Sequence, residues 1–539
     1  MKSEVKKWVL ANAIKYDGKA NPGSVIGSLM QQFSEKKDEI KKLMPEIQNI
    51  VKQVNSMSLD EQREELELLG GVERKEKVKR GMFDFLGIKE GEKVVSSFPP
   101  GPEKYPHIGH AKALILNYLL AEEYGGKFRP RFEDTNPELV KKEFYDIMLD
   151  NFKWLGVDSD FIYASDSMED FYFCGKKLIN KGEAYVCYCQ GDDISTNRKK
   201  GKECECRSAE DQLDKWEKFF KAKAGSSIVR LKIDMNHKNS TMRDPAIFRI
   251  IDAAHARQGK KYRVWPTYDF QNSIVDGMLK VTNRLRTKEF EMRAELHRYI
   301  QRLLGFKETQ TYEFARFNME GVDLSGRKNR ELIEKGKLLG WDDPRLATIV
   351  ALRRRGFLPE AIKEFVISTG ITKSESTVTW GDLILRNKRI LDSTAKRYFF
   401  VENPKKIKVI HEVVKTELPL HPTEDYGFRK IKVGSEFYVA DKVEKGFNYR
   451  FMHLFNFKDG KFVSKDYDPD LKAKLIHWLP MENLVDVEVF MDNGKWVKGK
   501  GEADIKKVKV GEVIQFERFG FVRLDEKKDG TYRFWFTHR

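Results

Sequence analysis

Residues 94–137, VVSSFPPGPEKYPHIGHAKALILNYLLAEEYGGKFRPRFEDTNP, read as a strand, a helix and a second strand. Val94 to Phe98 is apolar enough for a buried strand, and the Pro/Gly turn behind it ends it. A helix opens at Gly109 and stops at Gly125-Gly126, and the next strand ends in Glu133 and Asp134. This is a βαβ unit, the element from which parallel sheets are built. At its strand-to-helix junction stands His107-Ile108-Gly109-His110. Unpaired backbone N–H groups and the helix dipole favour an anion there. Gly109 lets a flat ligand lie close to the backbone. Two histidines around it can donate hydrogen bonds to phosphate oxygens, worth roughly 3–4 kcal/mol each when preorganised. Taken alone, the tetrapeptide fits a turn with surface histidines equally well.

At 539 residues the chain is too long for one ordinary core, so several domains are expected. Lys and Arg number 99 against 83 Asp and Glu; the resulting +16 favours a polyanionic partner, although a basic enzyme without nucleic acid has the same balance. The start, MKSEVKKWVLANAIKYDG, has no apolar core of signal-peptide length, and no apolar run is long enough for a membrane span. A cytoplasmic protein is expected. Five cysteines, an odd number in so long a chain, do not make a disulfide framework.

Residues 1 to about 70 are rich in Lys and Glu, with helical spacing at Ile40, Leu43, Met44, Ile47 and Val51 and a turn at Asn21-Pro22-Gly23; a charged tether, VERKEKVKRG, follows. Pro137 is suited to the first turn of a helix capped by Thr135 or Asn136 and running to Trp154. From about 184 to 260 the alternation of strand and helix breaks, and it resumes at Tyr262. Residues 324–395 read as helical, and beyond Phe399 short strands of period two alternate with Gly, Asp and Asn turns.

The order of these features resembles the class I aminoacyl-tRNA synthetases, in particular the glutamyl/glutaminyl group of archaeal and eukaryotic type. The matching residues are His107 to His110, Glu133, Arg243-Asp244-Pro245, Tyr268 in PTYDF, Leu324-Ser325-Gly326-Arg327-Lys328, GWDDPRL at 340–346 and LRRRG at 352–356. The resemblance implies an α/β fold with a Rossmann-type parallel-sheet catalytic domain in two halves (89–183 and 262–323). Between them lies an inserted acceptor-stem-binding domain (184–261). A helical N-terminal appended module (1–88) precedes the catalytic domain, a helical subdomain (324–398) follows the second ATP motif, and antiparallel anticodon-binding β-barrels (399–539) end the chain.

It further implies that His107, Gly109 and His110 bind ATP and stabilise the adenylation transition state. Ser325, Arg327 and Lys328 form the second ATP motif, a loop whose cations follow the leaving pyrophosphate; Gly326 stands there in place of the family's first lysine. Glu133 would hold the α-ammonium of the amino acid, and Tyr268 would hydrogen-bond its side chain. Ser97 stands where the family has an arginine that contacts the amino acid. Arg286 falls where glutamyl enzymes carry an arginine and glutaminyl enzymes a cysteine; the other reading is a cation of the basic run with Arg284 and Lys288, turned to solvent or tRNA.

Cys187-Tyr188-Cys189 and Cys204-Glu205-Cys206 hold four of the five cysteines. Residues i and i+2 of a strand share a face, so the two pairs can converge on a tetrahedral site, for which zinc suits better than an iron–sulfur cluster; reduced, metal-free cysteines are the other reading. The expected activity is ligation of glutamate to tRNA-Glu, and possibly tRNA-Gln, by a monomer using ATP with Mg²⁺, with Zn²⁺ as a structural ion and no membrane. Glutaminyl-tRNA synthetase, and a synthetase-like tRNA-binding protein of weak activity, are the alternatives.

Overall fold

The computed structural model describes residues 2–16, 18–33, 37–70, 81–321 and 326–539. The chain divides into two compact units, 1–86 and 87–539. In the first, Asn21 caps the Pro22–Gln32 helix by accepting from Ser24 N, at the turn expected from Asn-Pro-Gly. Of the residues with helical spacing, Ile40, Ile47 and Val51 enter its core with Val9, Val25 and Val54, whereas Leu43 is half-buried and Met44 exposed. Residues 71–80, most of the tether, lie outside the described residues.

The second unit opens on the expected parallel pairing. Val95–Ser96 runs beside Lys127–Phe128, and bonds from Lys127 N to Val94 O and from Glu133 N to Pro100 O carry the pairing to the end of the strand. Arg131–Phe132 pairs in parallel with Ile162–Tyr163, and Asn283–Thr287 with Gln310–Phe314. Thr282 N bonds Val95 O at 2.9 Å, joining the late strands to the first. The Ile108–Glu123 helix lies against this sheet, and its buried Asn117 ties both backbone groups of Leu285 to it (2.8 and 2.9 Å). Phe98, Glu133 and Thr287 thus arrive at one carboxyl edge, where open α/β sheets hold ligands.

Pro137 does not start the long helix. Asn136 accepts from Glu138 N through its side chain and from Leu139 and Val140 N through its carbonyl, which makes a single turn. Lys141 is then extended (φ −132°, ψ 143°), and the helix begins at Lys142.

The insertion is an antiparallel sheet of Ala184–Cys187, Ile228–Leu231, Ala246–Ile250 and Val264–Pro266. Its last strand comes from the segment in which the catalytic fold resumes, because Phe248 and Trp265 are buried in one core with Phe270 and Ile274 of the following helix. The C-terminal strands make two bodies, a closed barrel and a group of smaller sheets whose chain is inserted between two strands of that barrel. Seven strands run in the order 397–398, 513–516, 520–528, 531–538, 484–490, 496–502 and 400–402. The two edges of that sheet are consecutive pieces of chain on either side of Phe399, so the sheet closes on itself. Residues 405–480 form the second body, around Phe437, Phe451, Phe455 and Trp478. Among the described residues no helix is long and apolar enough to cross a membrane.

Candidate active site

His107 is the N-cap of the Ile108–Glu123 helix, which begins one residue before the start expected at Gly109. Its Nδ1 accepts from Gly109 N at 3.0 Å, and Nδ1 of His110 accepts from His107 N at 3.2 Å. A neutral imidazole that accepts at Nδ1 carries its proton on Nε2, so both rings are held as Nε2–H donors. Burial keeps them neutral. The pKa of His107 is depressed to about 3 by burial, then by the charges of Lys104 and Arg316. That of His110 is held well below the ordinary histidine range by burial and by His107. A Cβ at Gly109 would lie 2.8 Å from Cε1 of His107, so any other residue would displace the ring that caps the helix.

Both histidines line a cavity of about 290 Å³ together with Gly109, Glu133, Tyr268 and Arg286. Its far side holds acid and base in close quarters. Glu133 lines this cavity, and burial, then the charge of Glu103, raise the pKa of its carboxyl to about 8. Tyr268 sits at the first position of a helix, not in a strand, and stacks on Phe290 with ring centroids 5.3 Å apart. Arg286 is 7% exposed, so it does not turn to solvent. Its Nε lies 3.7 Å from Glu313 Oε1, but neither Nε nor Nη2 has a hydrogen-bond partner among the described residues. Burial, then Arg284, lower its pKa to about 10, so it remains charged at neutral pH.

Beneath the cavity lies a buried network that sequence reasoning did not anticipate. Asp276 accepts from Arg131 and Arg284 (2.7 Å), with His297 Nε2 3.2 Å away, and the two guanidinium groups hold its pKa far below the carboxylate range. Ser97 belongs to this floor. It is fully buried, donates to Arg129 O (2.8 Å) and accepts from Arg131 (2.7 Å), and it does not line the cavity. Arg284 does line it, and the signal was available: residues 284 and 286 share one face of a strand, which ends at Thr287, so that Lys288 opens a 3-10 turn and does not line the cavity. Nothing in the sequence marked Lys104, which also lines the cavity.

Ser325 lies outside the described residues. Arg327 and Lys328 stand in the first turn of the Gly326–Glu334 helix, away from the cavity lining; Arg327 is exposed and lies 3.4 Å from Glu331. Gly326 faces Lys104 and His107 across a narrow crevice also lined by Trp341 and Thr348.

The four cysteines converge, although only Cys187 lies in a strand; Cys189 follows it, and Cys204 and Cys206 stand at a 3-10 turn. Their sulfur atoms all lie within 4.8 Å of one another, with Cys187 and Cys204 3.8 Å apart. Four sulfurs at a Zn–S distance of about 2.3 Å define a tetrahedron with an edge of about 3.8 Å, so this donor set fits such an ion. Arg230 places Nη1 3.8 Å from Cys187 and 3.9 Å from Cys204, where its charge favours thiolates.

A helix N-terminus with two neutral imidazole donors, opening on a pocket with a carboxyl and a guanidinium at the carboxyl edge of a parallel sheet, defines a nucleotide-binding α/β enzyme that also takes a small charged substrate. Residues 93–392 match the catalytic domain of the class I (E and Q) tRNA synthetases, and residues 395–476 and 475–525 match the anti-codon binding domains of the same enzymes. The chain belongs to this family. It is 39% identical to the glutamate–tRNA ligase of Methanocaldococcus jannaschii over 556 residues, covering 100% of both chains. It is equally identical, 39%, to that of Pyrococcus furiosus over 568 residues, covering 99% of each. A glutamate–tRNA synthetase of known structure from Elizabethkingia anophelis aligns over 56% of this chain and 72% of its own, with 16% identity and a TM-score of 0.43.

Proposed function

We propose that this protein is a glutamate–tRNA ligase working through a glutamyl-adenylate. A carboxylate oxygen of glutamate attacks the α-phosphorus of Mg²⁺-bound ATP, and pyrophosphate leaves. A ribose hydroxyl of the terminal tRNA adenosine then attacks the acyl carbon, and AMP leaves. Neither step needs a covalent bond to the protein, so positioning and charge stabilisation carry the rate. His107 and His110 donate Nε2–H to the phosphate oxygens as their charge grows. Glu133 takes the α-ammonium, Arg286 the γ-carboxylate, and Tyr268 a hydrogen bond to the substrate side chain. Arg327, Lys328 and Ser325 act on the leaving pyrophosphate.

The observation that carries the reading is Arg286, a buried cation in the cavity wall with two nitrogens unpaired among the described residues. Glutamate has the group that completes it; glutamine does not. The cysteine cluster is read as a structural Zn²⁺ site, supported by the tetrahedral fit of its sulfurs. We take the enzyme to act as a monomer in the cytoplasm, where its tRNA is. Aminoacylation of tRNA-Glu and tRNA-Gln with each amino acid tests the proposal. Charging of tRNA-Glu with glutamate is expected, and tRNA-Gln is the second acceptor to compare. Charging with glutamine alone would make it a glutaminyl enzyme, and no charging by folded, tRNA-bound protein would leave a binding protein.

A further inference from the structure

The cavity wall on the histidine side contains a cation that no motif accounts for. Lys104 lies in the turn between the first strand and its helix, three residues before the N-cap His107. It lines the main cavity with both histidines, and it also lines the crevice that holds Gly326. Its charge reaches both imidazoles: it is the second cause of the depression at His107 and the third at His110. No carboxylate lies within 4.0 Å of its ammonium among the described residues. Arg316, the other cation acting on His107, is already paired with Glu289 at 3.1 Å.

Gly326 explains the room that Lys104 has. A Cβ at position 326 would lie 3.3 Å from Cδ of Lys104, and its next neighbour would be Lys104 Cβ at 3.8 Å. The stem of Lys104 therefore runs through the space that a side chain at 326 would claim. Position 326 opens its helix without a side chain, and Lys104, facing it, brings a cation to the two histidine donors.

We propose that Lys104 is the cation that binds the β- and γ-phosphates of ATP in this enzyme, in place of a lysine at position 326. The proposal rests on the ATP-dependent function given above, but it concerns phosphate binding and can be judged without turnover. A triphosphate laid along the helix N-terminus gives its outer phosphates to whatever cation flanks the histidines. A charge-assisted bond of this kind, made in a partly buried cleft, changes affinity by about tenfold or more.

Lys104→Met keeps the bulk of the stem and removes the charge. Equilibrium binding of Mg²⁺-ATP and of AMP to the full-length protein, with tRNA present, is the measurement. Expected are at least tenfold weaker Mg²⁺-ATP binding, unchanged AMP binding, and near-normal behaviour of Lys104→Arg. The double variant Lys104→Ala, Gly326→Lys should recover much of the ATP affinity that Lys104→Ala loses. Mg²⁺-ATP affinity within twofold of the unmodified protein in Lys104→Met would overturn the proposal. So would an equal loss of ATP and AMP binding, which marks a collapsed turn, and so would an unmodified protein that binds no ATP. If the unmodified protein binds ATP but shows no glutamate-dependent exchange, the functional reading fails while the ATP-to-AMP contrast still decides the role of Lys104.

Discussion

Replacing Arg286 by cysteine should erode the preference for glutamate over glutamine. The guanidinium is 7% exposed, and Nε and Nη2 find no hydrogen-bond partner among the described residues. With glutamate bound, the γ-carboxylate would supply two acceptors to a planar fork built for them. Glutamine would leave the charge buried and unpaired, which costs on the order of 3–5 kcal/mol, or roughly a hundredfold to a few thousandfold in specificity. Glu313 moderates this. Its Oε1 lies 3.7 Å from Arg286 Nε, so part of the charge is neutralised even in the empty pocket. The lower end, about a hundredfold, is therefore expected. Steady-state charging gives kcat/KM for each amino acid in the unmodified protein and in Arg286→Cys. The variant should lose most of the hundredfold ratio through a higher KM for glutamate, even if total activity falls. An unchanged ratio would refute the reasoning and move the specificity to another polar group of the cavity lining, such as Arg284 or Tyr268.

His110→Ala should lower ATP–pyrophosphate exchange by about a hundredfold or more with little change in the KM for glutamate, because it removes a donor to the developing phosphate charge; a loss below tenfold would argue against that role. Glu133→Gln should weaken glutamate binding and stabilise the empty protein: its folded pKa, about 8, is above the unfolded 4.5, so ionisation increasingly favours unfolding as pH rises between these values. The stability gain of Glu133→Gln should grow over that window and level off above it, and thermal melts showing a pH-independent difference would contradict this. Metal analysis of protein purified without chelator should return one zinc per chain, and Cys204→Ser should lose it and disorder the insertion while ATP still binds; metal-free native protein would refute the assignment. Arg354 pairs with Asp342 and with Asp525 of the closed barrel, both at 2.6 Å, so Arg354→Met should loosen the barrel from the catalytic body, seen as a separate early transition in calorimetry; a single unshifted transition would show that the pair holds nothing.

The βαβ unit was legible because its signals are local: an apolar strand, a Gly-bounded helix and a His-rich junction fall within 44 consecutive residues. The cysteine site was legible from the pairing of its cysteines, though not through the shared strand face expected: only Cys187 lies in a strand, Cys189 follows its end, and Cys204 and Cys206 stand at a 3-10 turn. Pro137 misled because a proline suits any first turn, and whether a second turn follows depends on residues further along the chain. The buried floor could not be read at all. Arg131, Asp276, Arg284 and His297 come from segments up to 166 residues apart in the sequence, and each alone looks like a surface charge. The closure of the C-terminal barrel was hidden likewise: strands 397–398 and 400–402 look like one strand until the sheet closes across Phe399.

One short segment ties the two ends of the second unit together. Ile108 N bonds Ala347 O at 3.1 Å, Ile349 N bonds Pro106 O at 2.9 Å, and His107 bridges to Thr348. Thr348 also caps the Ile349–Arg355 helix. At the other end of that helix Arg355, nearly fully buried, donates to Pro344 O and to Thr537 O in the last barrel strand (2.9 and 2.8 Å). A helix of seven residues, about 10 Å long, therefore separates the backbone that positions His107 from the barrel. The bonds at both ends are to backbone carbonyls and amides, and they persist whichever side chains line the cavity. A cation on either wall of the pocket, at 104 or at 326, is therefore compatible with the frame that sets the histidines.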